Sequence, residues 1–199
     1  MSSFLGHSLA AYSLASAVRQ SLASPSGRLS WAVWLIALAS APDIDYLIPA
    51  LNSSAHHGLR ITHSIAFSLI LPLCTSGALY LARSPEPQRG LLSICAALAG
   101  LSHLALDFLV GVTPLPLLWP LSIAAFVSPI GILPSAGRMR VMNYYFYRNL
   151  LIEVGVLAPI LYVARGFYRG ELNIENRARI IALLLIAGCF IAWSAGLSR

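Results

Sequence analysis

At 58% hydrophobic and 10% charged residues, with a mean hydropathy of +0.76, this 199-residue chain lacks the polar surface of an ordinary soluble domain, in which roughly 25% of residues are charged. A net charge of +6, carried entirely by Arg among its basic residues, suits anionic lipid headgroups, whereas no basic face or binding motif supports a nucleic-acid partner. Cys74, Cys95 and Cys189 each stand alone in an apolar run, where free Cys packs as a small hydrophobe, and no C-x-x-C pair is present.

Residues 4–24 read as an Ala- and Ser-rich helix, modestly apolar, with Ser24-Pro25-Ser26-Gly27 as the turn that follows it. No Lys or Arg precedes this apolar part as a secretory leader requires, so the segment is expected to be retained, and with it His7. Residues 30–50 form the first strong span. Pro42 interrupts its hydrogen-bond ladder, so Asp43 and Asp45 are expected at a break. A polar loop at 52–60 leads to a span at 61–82. A charged connection at 83–90 leads to a span at 91–112. Three prolines break the stretch 113–120, and 121–133 is apolar but short, which predicts a re-entrant or interfacial piece. Residues 138–149 interleave Arg138, Arg140 and Arg148 with Tyr144, Tyr145, Phe146 and Tyr147. Such mixing serves single-stranded nucleic acid in some proteins, but beside a membrane span it predicts an interfacial anchor. Two more spans, 150–164 and 178–196, flank a charged loop at 165–179. The chain is therefore expected to be one all-α, membrane-embedded domain over 1–199, a polytopic helical bundle of about five to seven membrane helices.

The polar residues inside these runs form a pattern. If successive spans alternate in direction, His7, Asp43, Asp45, His57, His63, His103 and Asp107 all arrive at one membrane level. His103 and Asp107 are four apart and share one helix face. Singly, these residues have ordinary readings: a surface histidine, a turn carboxylate, a helix-packing pair. Together they assemble imidazoles and carboxylates, the usual ligands of zinc and related divalent ions. An unpaired carboxylate at mid-bilayer costs about 2.5–3.5 kcal/mol, so a bound cation is the natural counter-charge. The expected cofactor is a divalent metal, zinc first, as one ion or two.

At these motifs the chain resembles the LexA-regulated, membrane-bound metal-dependent hydrolases, the YdjM-like family. The resemblance runs through Gly6-His7, Pro42-Asp43-Ile44-Asp45, the imidazole pair ending in Thr62-His63-Ser64, Ser102 to Asp107, and the proline-rich Pro116 to Pro120. It covers 5–122, the expected metal-site core, and leaves 123–199 as additional membrane helices and interfacial segments. More distantly the pattern is similar to zinc phospholipase C and P1-type nucleases, which implies a helical core of that kind. The family's imidazoles usually stand five residues apart. Here His57 and His63 are six apart with Arg60 between them, so either His56 or His57 can be the first of the pair.

The resemblance implies a hydrolase in the cytoplasmic (inner) membrane of a prokaryote. Metal-activated water would attack a phosphoester of a lipid, a lipid-linked molecule or a small substrate. Asp45 or Asp43 would accept the proton, and Arg60 would hold a phosphate oxygen. Intramembrane Asp and His also mark ion paths, which makes a transporter or metal-handling protein the alternative. The excess of Arg on the side of Arg19 and Arg28 places that side inside and the site near the outer face.

Overall fold

A computed structural model describes residues 2–22, 24–46, 48, 58–135, 142–171 and 173–197. Among these are six α-helices and no strand longer than an isolated bridge: α1 Phe4–Ala17, α2 Pro25–Ser40, α3 Ile65–Leu81, α4 Gln88–Val110, α5 Tyr144–Tyr168 and α6 Arg177–Ala195.

Local chemistry moves several boundaries from their expected places. Ser24 to Gly27 is the start of α2: the Ser24 hydroxyl accepts from Gly27 N at 3.0 Å and Pro25 occupies the first turn, where its missing N–H costs nothing. Helix α1 accordingly stops at Ala17, before the polar Arg19 and Gln20. At the far end of α2, Pro42 gives way to a 3-10 helix, Ala41–Tyr46, that carries both expected aspartates. Residues 121–133 form no helix. They return along the proline-rich stretch, with Leu115 and Phe126 exchanging backbone bonds of 2.9 and 2.8 Å. Leu115 and Leu133 are buried beneath, and Leu133 N is tied to Leu109 O. The aromatic anchor and the span expected at 150–164 are one helix, α5, which begins at Tyr144 with Asn143 as its cap. Tyr144, Tyr145 and Tyr147 are exposed there, and Arg148 lies over the Tyr145 ring. Arg138 and Arg140 lie outside the described residues.

Against the five to seven membrane helices expected, three among the described residues are long and apolar enough to cross a bilayer: α4, α5 and α6. Helix α3 is apolar but has 17 residues, and α1 and α2 have 14 and 16, short of the ~20 residues that cover ~30 Å.

Successive helices run in opposite directions. Gln88 Nε2 donates to Ser21 O and Arg169 Nη2 to Ser16 O at one end of the bundle. Ser3 N reaches Glu153, and His103 reaches Ala39 O, at the other. Between the ends, α1, α2 and α4 pack through Ala11, Ala15, Ala32, Ala39, Ala96 and Ala99 around Leu35, Leu38 and Leu92, small side chains that let backbones approach closely.

The α3–α4 contact is closer still. Pro72 has no N–H to give to the carbonyl four residues back, Ser68 O, and Gly100 of α4 packs against that oxygen. A Cβ at Gly100 would collide with Ser68 O and touch Pro72 Cγ at 3.0 Å. Gly100→Ala is therefore expected to destabilise the protein by about 1–3 kcal/mol through overpacking. Thermal unfolding in detergent measures it, and an unchanged midpoint would mean the two helices separate at little cost.

Candidate metal centre

Four chain segments meet at the end of the bundle that carries the starts of α1, α3 and α5. The first turns of α1 bring His7. The 3-10 helix after α2 brings Asp43 and Asp45. A second 3-10 helix, Ile61–His63, brings Thr62 and His63 just before α3, whose first turn is capped by the Ser64 hydroxyl. The last turns of α4 bring His103 and Asp107, before the helix ends at Gly111 in the left-handed conformation that glycine favours (φ 66°).

The imidazole orientations follow from their outer partners. His103 Nδ1 lies 2.7 Å from Ala39 O. A carbonyl only accepts, so Nδ1 carries the hydrogen and Nε2 the lone pair. Thr62 donates its one hydroxyl hydrogen to Asp45 Oδ2 at 3.0 Å, so toward His63 Nδ1, also at 3.0 Å, it accepts. His63 Nε2 is thus the lone-pair nitrogen of that ring as well. The two Nε2 atoms face each other across 3.1 Å, an arrangement that needs a proton or a cation between them.

Carboxylates close the cluster. Asp43 Oδ1 lies 3.5 Å from His63 Nε2 and 3.9 Å from His103 Nε2. Asp107 Oδ2 lies 3.5 and 3.6 Å from the same two atoms. Ligands at about 2.0–2.1 Å around a tetrahedral zinc stand about 3.3 Å apart, so these spacings fit one small cation. His7 stacks on His103 with ring centroids 4.0 Å apart, and its Nε2 is 3.8 Å from Asp107 Oδ1. Both nitrogens of His7 and Asp107 Oδ2 are buried without a hydrogen-bond partner, a state that a bound cation would relieve. The donors fall into two triads, His7–His103–Asp107 and Asp43–His63–His103. Because Nδ1 of His103 is committed to Ala39, the triads share its single free nitrogen.

Asp45 is not among these donors. Arg60 grips it at both oxygens, Nε to Oδ2 and Nη2 to Oδ1, each at 2.8 Å, and Thr62 adds the third bond. Sequence alone offered Asp45 as ligand and proton acceptor and Arg60 as a phosphate holder; here each occupies the other. Arg60 is itself buried, with Nη2 3.3 Å from Asp43 Oδ1 and its guanidinium over the Tyr46 ring. His56 and His57 lie outside the described residues.

Burial opposes charge on Asp43, but the facing His63 and His103 rings outweigh it and hold the carboxyl below its usual range. Burial likewise opposes charge on His63, and Asp107 and Asp43 overcome it and push the ring above the usual histidine value.

One buried carboxylate was not anticipated. Glu153 of α5, 1% exposed, accepts from Ser3 N at 2.9 Å and from the Ser2 hydroxyl. Its signal was present in the sequence, as the one charge inside the apolar run 150–164.

Residues 1–196 match the family model described as YdjM inner membrane protein. No curated protein and no solved structure matches the chain.

Proposed function

We propose that this chain, which belongs to the YdjM inner membrane protein family, is a membrane-bound metal-dependent hydrolase. It holds one divalent ion, zinc by donor chemistry, among His7, Asp43, His63, His103 and Asp107, and it cleaves a phosphoester carried by a lipid or lipid-linked molecule. The observation that carries this is the buried donor set in which two imidazole nitrogens face each other across 3.1 Å beside the carboxylates of Asp43 and Asp107. Charge agrees: Arg60 pairs with Asp45 and Asp43, and the carboxylate of Asp107 lies beyond it among the imidazoles. Of the one or two ions expected, one suits a set joined at a single His103 nitrogen.

A divalent ion there supplies electrophilic polarisation of a phosphoryl oxygen and eases the deprotonation of water. The chain's own residues do the rest. Asp43, with its side chain 31% exposed, is the described donor that substrate meets first. It stays ionised near neutral pH, with Oδ1 toward the imidazoles and Oδ2 able to take a proton from attacking water. Arg60 holds Asp45, and Asp45 holds Thr62 and through it the His63 ring, so this outer chain fixes the tautomer on which the donor set depends. The hydrolytic class comes from the family resemblance, and the lipid-borne substrate from a site at one end of a membrane bundle. The core beneath the site is built mainly of alanine and leucine side chains, which favours the hydrolase over a transport role.

Protein purified in mild detergent is expected to contain about one zinc per chain. A chelator should abolish its hydrolysis of a chromogenic phosphodiester and of phosphatidic acid in mixed micelles, and zinc should restore it. Metal-loaded protein inert toward both, but passing zinc across liposomes, would replace the hydrolase with a transporter.

Orientation belongs to the same proposal. Arg19, Arg28, Arg83, Arg89, Arg165, Arg169, Arg177 and Arg179 gather at the end of the bundle away from the site, which the positive-inside rule assigns to the cytoplasm. In a chain with Cys74, Cys95 and Cys189 replaced by alanine, Ser122→Cys is expected to react with an impermeant maleimide in spheroplasts. Ser84→Cys should stay unlabelled until the cells are broken, and the reverse pattern would put the site inside.

A further inference from the structure

Granted the metal site proposed above, we infer that Glu153 is a positioning residue for it, acting through the start of the chain's first helix. Glu153 lies on α5, well outside the four segments that supply the donors. Its Oε1 accepts from Ser3 N at 2.9 Å, Oε2 lies 3.2 Å from the same nitrogen, and Ser2 Oγ donates to Oε1. Ser3 in turn caps α1: its hydroxyl accepts from Gly6 N at 3.1 Å, and its carbonyl accepts from His7 N at 3.2 Å. Ser2 N points the other way and donates to Asp107 Oδ1 at 2.7 Å.

Two metal-site donors therefore hang on one carboxylate. Glu153 fixes Ser2 and Ser3; Ser3 sets the first turn of α1 and with it the height of His7; Ser2 holds Oδ1 of Asp107, which leaves Oδ2 aimed at His63 and His103. The negative charge sits at the N-terminus of α1, where the unpaired N–H groups of a helix favour it. Gly6 is part of the same device. A Cβ at this position would collide with Glu153 Oε1 and meet Ser2 Oγ at 2.7 Å, so only glycine lets the carboxylate approach this closely.

The test is zinc affinity, measured by competition with a chromogenic chelator on the detergent-purified full chain. Glu153→Gln keeps the shape, but in either orientation its NH2 stands against Ser3 N, which both carboxylate oxygens face. It is expected to weaken zinc binding about 10–100-fold, the range seen for partners behind metal ligands. Gly6→Ala, which keeps the Glu153 carboxylate but pushes it away from Ser2 and Ser3, should also weaken zinc binding. Ile152→Ala, next to Glu153 and fully buried, is the control: it should lower the melting temperature yet leave the affinity of the folded protein within about twofold. Should Glu153→Gln not be recovered folded, Gly6→Ala decides. Wild-type affinity in the variant that folds, or an equal loss in Ile152→Ala, overturns the positioning role while the metal site stands. A wild-type chain that binds no zinc overturns both.

Discussion

Replacing His103 by alanine is expected to empty the proposed metal centre and abolish the proposed hydrolysis, the largest functional loss any single substitution here should cause. His103 belongs to both donor triads and is 0% exposed, and its Nε2 lies within 3.9 Å of donor atoms from His63, Asp43 and Asp107. Losing it removes a ligand outright, so zinc affinity should fall by more than the ~10–100-fold that outer partners cost. Asp107→Ala should match it. Both variants should still insert, because the outer face of α4 rests on apolar residues such as Ile94 and Leu98. Metal analysis of membrane-purified His103→Ala decides, and a normal zinc content would reduce the pair to helix packing.

Arg60→Ala is expected to produce the largest loss of stability, about 3–5 kcal/mol, the cost of stranding one member of a buried ion pair. Asp45 is 2% exposed and loses its bidentate partner, while Asp43 loses a neighbouring cation. Arg60→Lys should recover only part, since an ammonium cannot match both carboxylate oxygens at once. Chemical denaturation in detergent measures the difference. An Arg60→Ala protein as stable as wild type would show that water reaches Asp45 when the guanidinium is gone.

Much of the site was legible in the sequence because ionisable residues are costly in apolar runs and their positions stand out. His7, Asp43, His63, His103 and Asp107 could be grouped from alternating helix direction alone, and the structure brings their donor atoms together. What composition does not encode is who pairs with whom. Asp45 and Asp43 differ by two positions, and only the fold shows that Arg60 and Thr62 occupy the first and leave the second facing the imidazoles. Glu153 was hidden for the opposite reason: one carboxylate in a long apolar helix has no partner nearby in sequence, and its partners lie 150 and 151 residues away. Boundaries failed where one residue changes roles. Ser24-Pro25 opens a helix as readily as it closes one.

The separations between paired groups also set an order of events during synthesis. Asp45 and Arg60 are only 15 residues apart, so this buried ion pair can close while the nascent chain is still leaving the translocon, and its two charges can enter lipid as a neutral unit. Asp107 has no basic neighbour of that kind; its amide partner, Ser2, was made 105 residues earlier and must still be within reach when α4 emerges. Glu153 arrives last and latches onto that same terminus. The newborn protein therefore depends on the segment around Ser2 and Ser3 remaining undocked elsewhere until α5 has been translated.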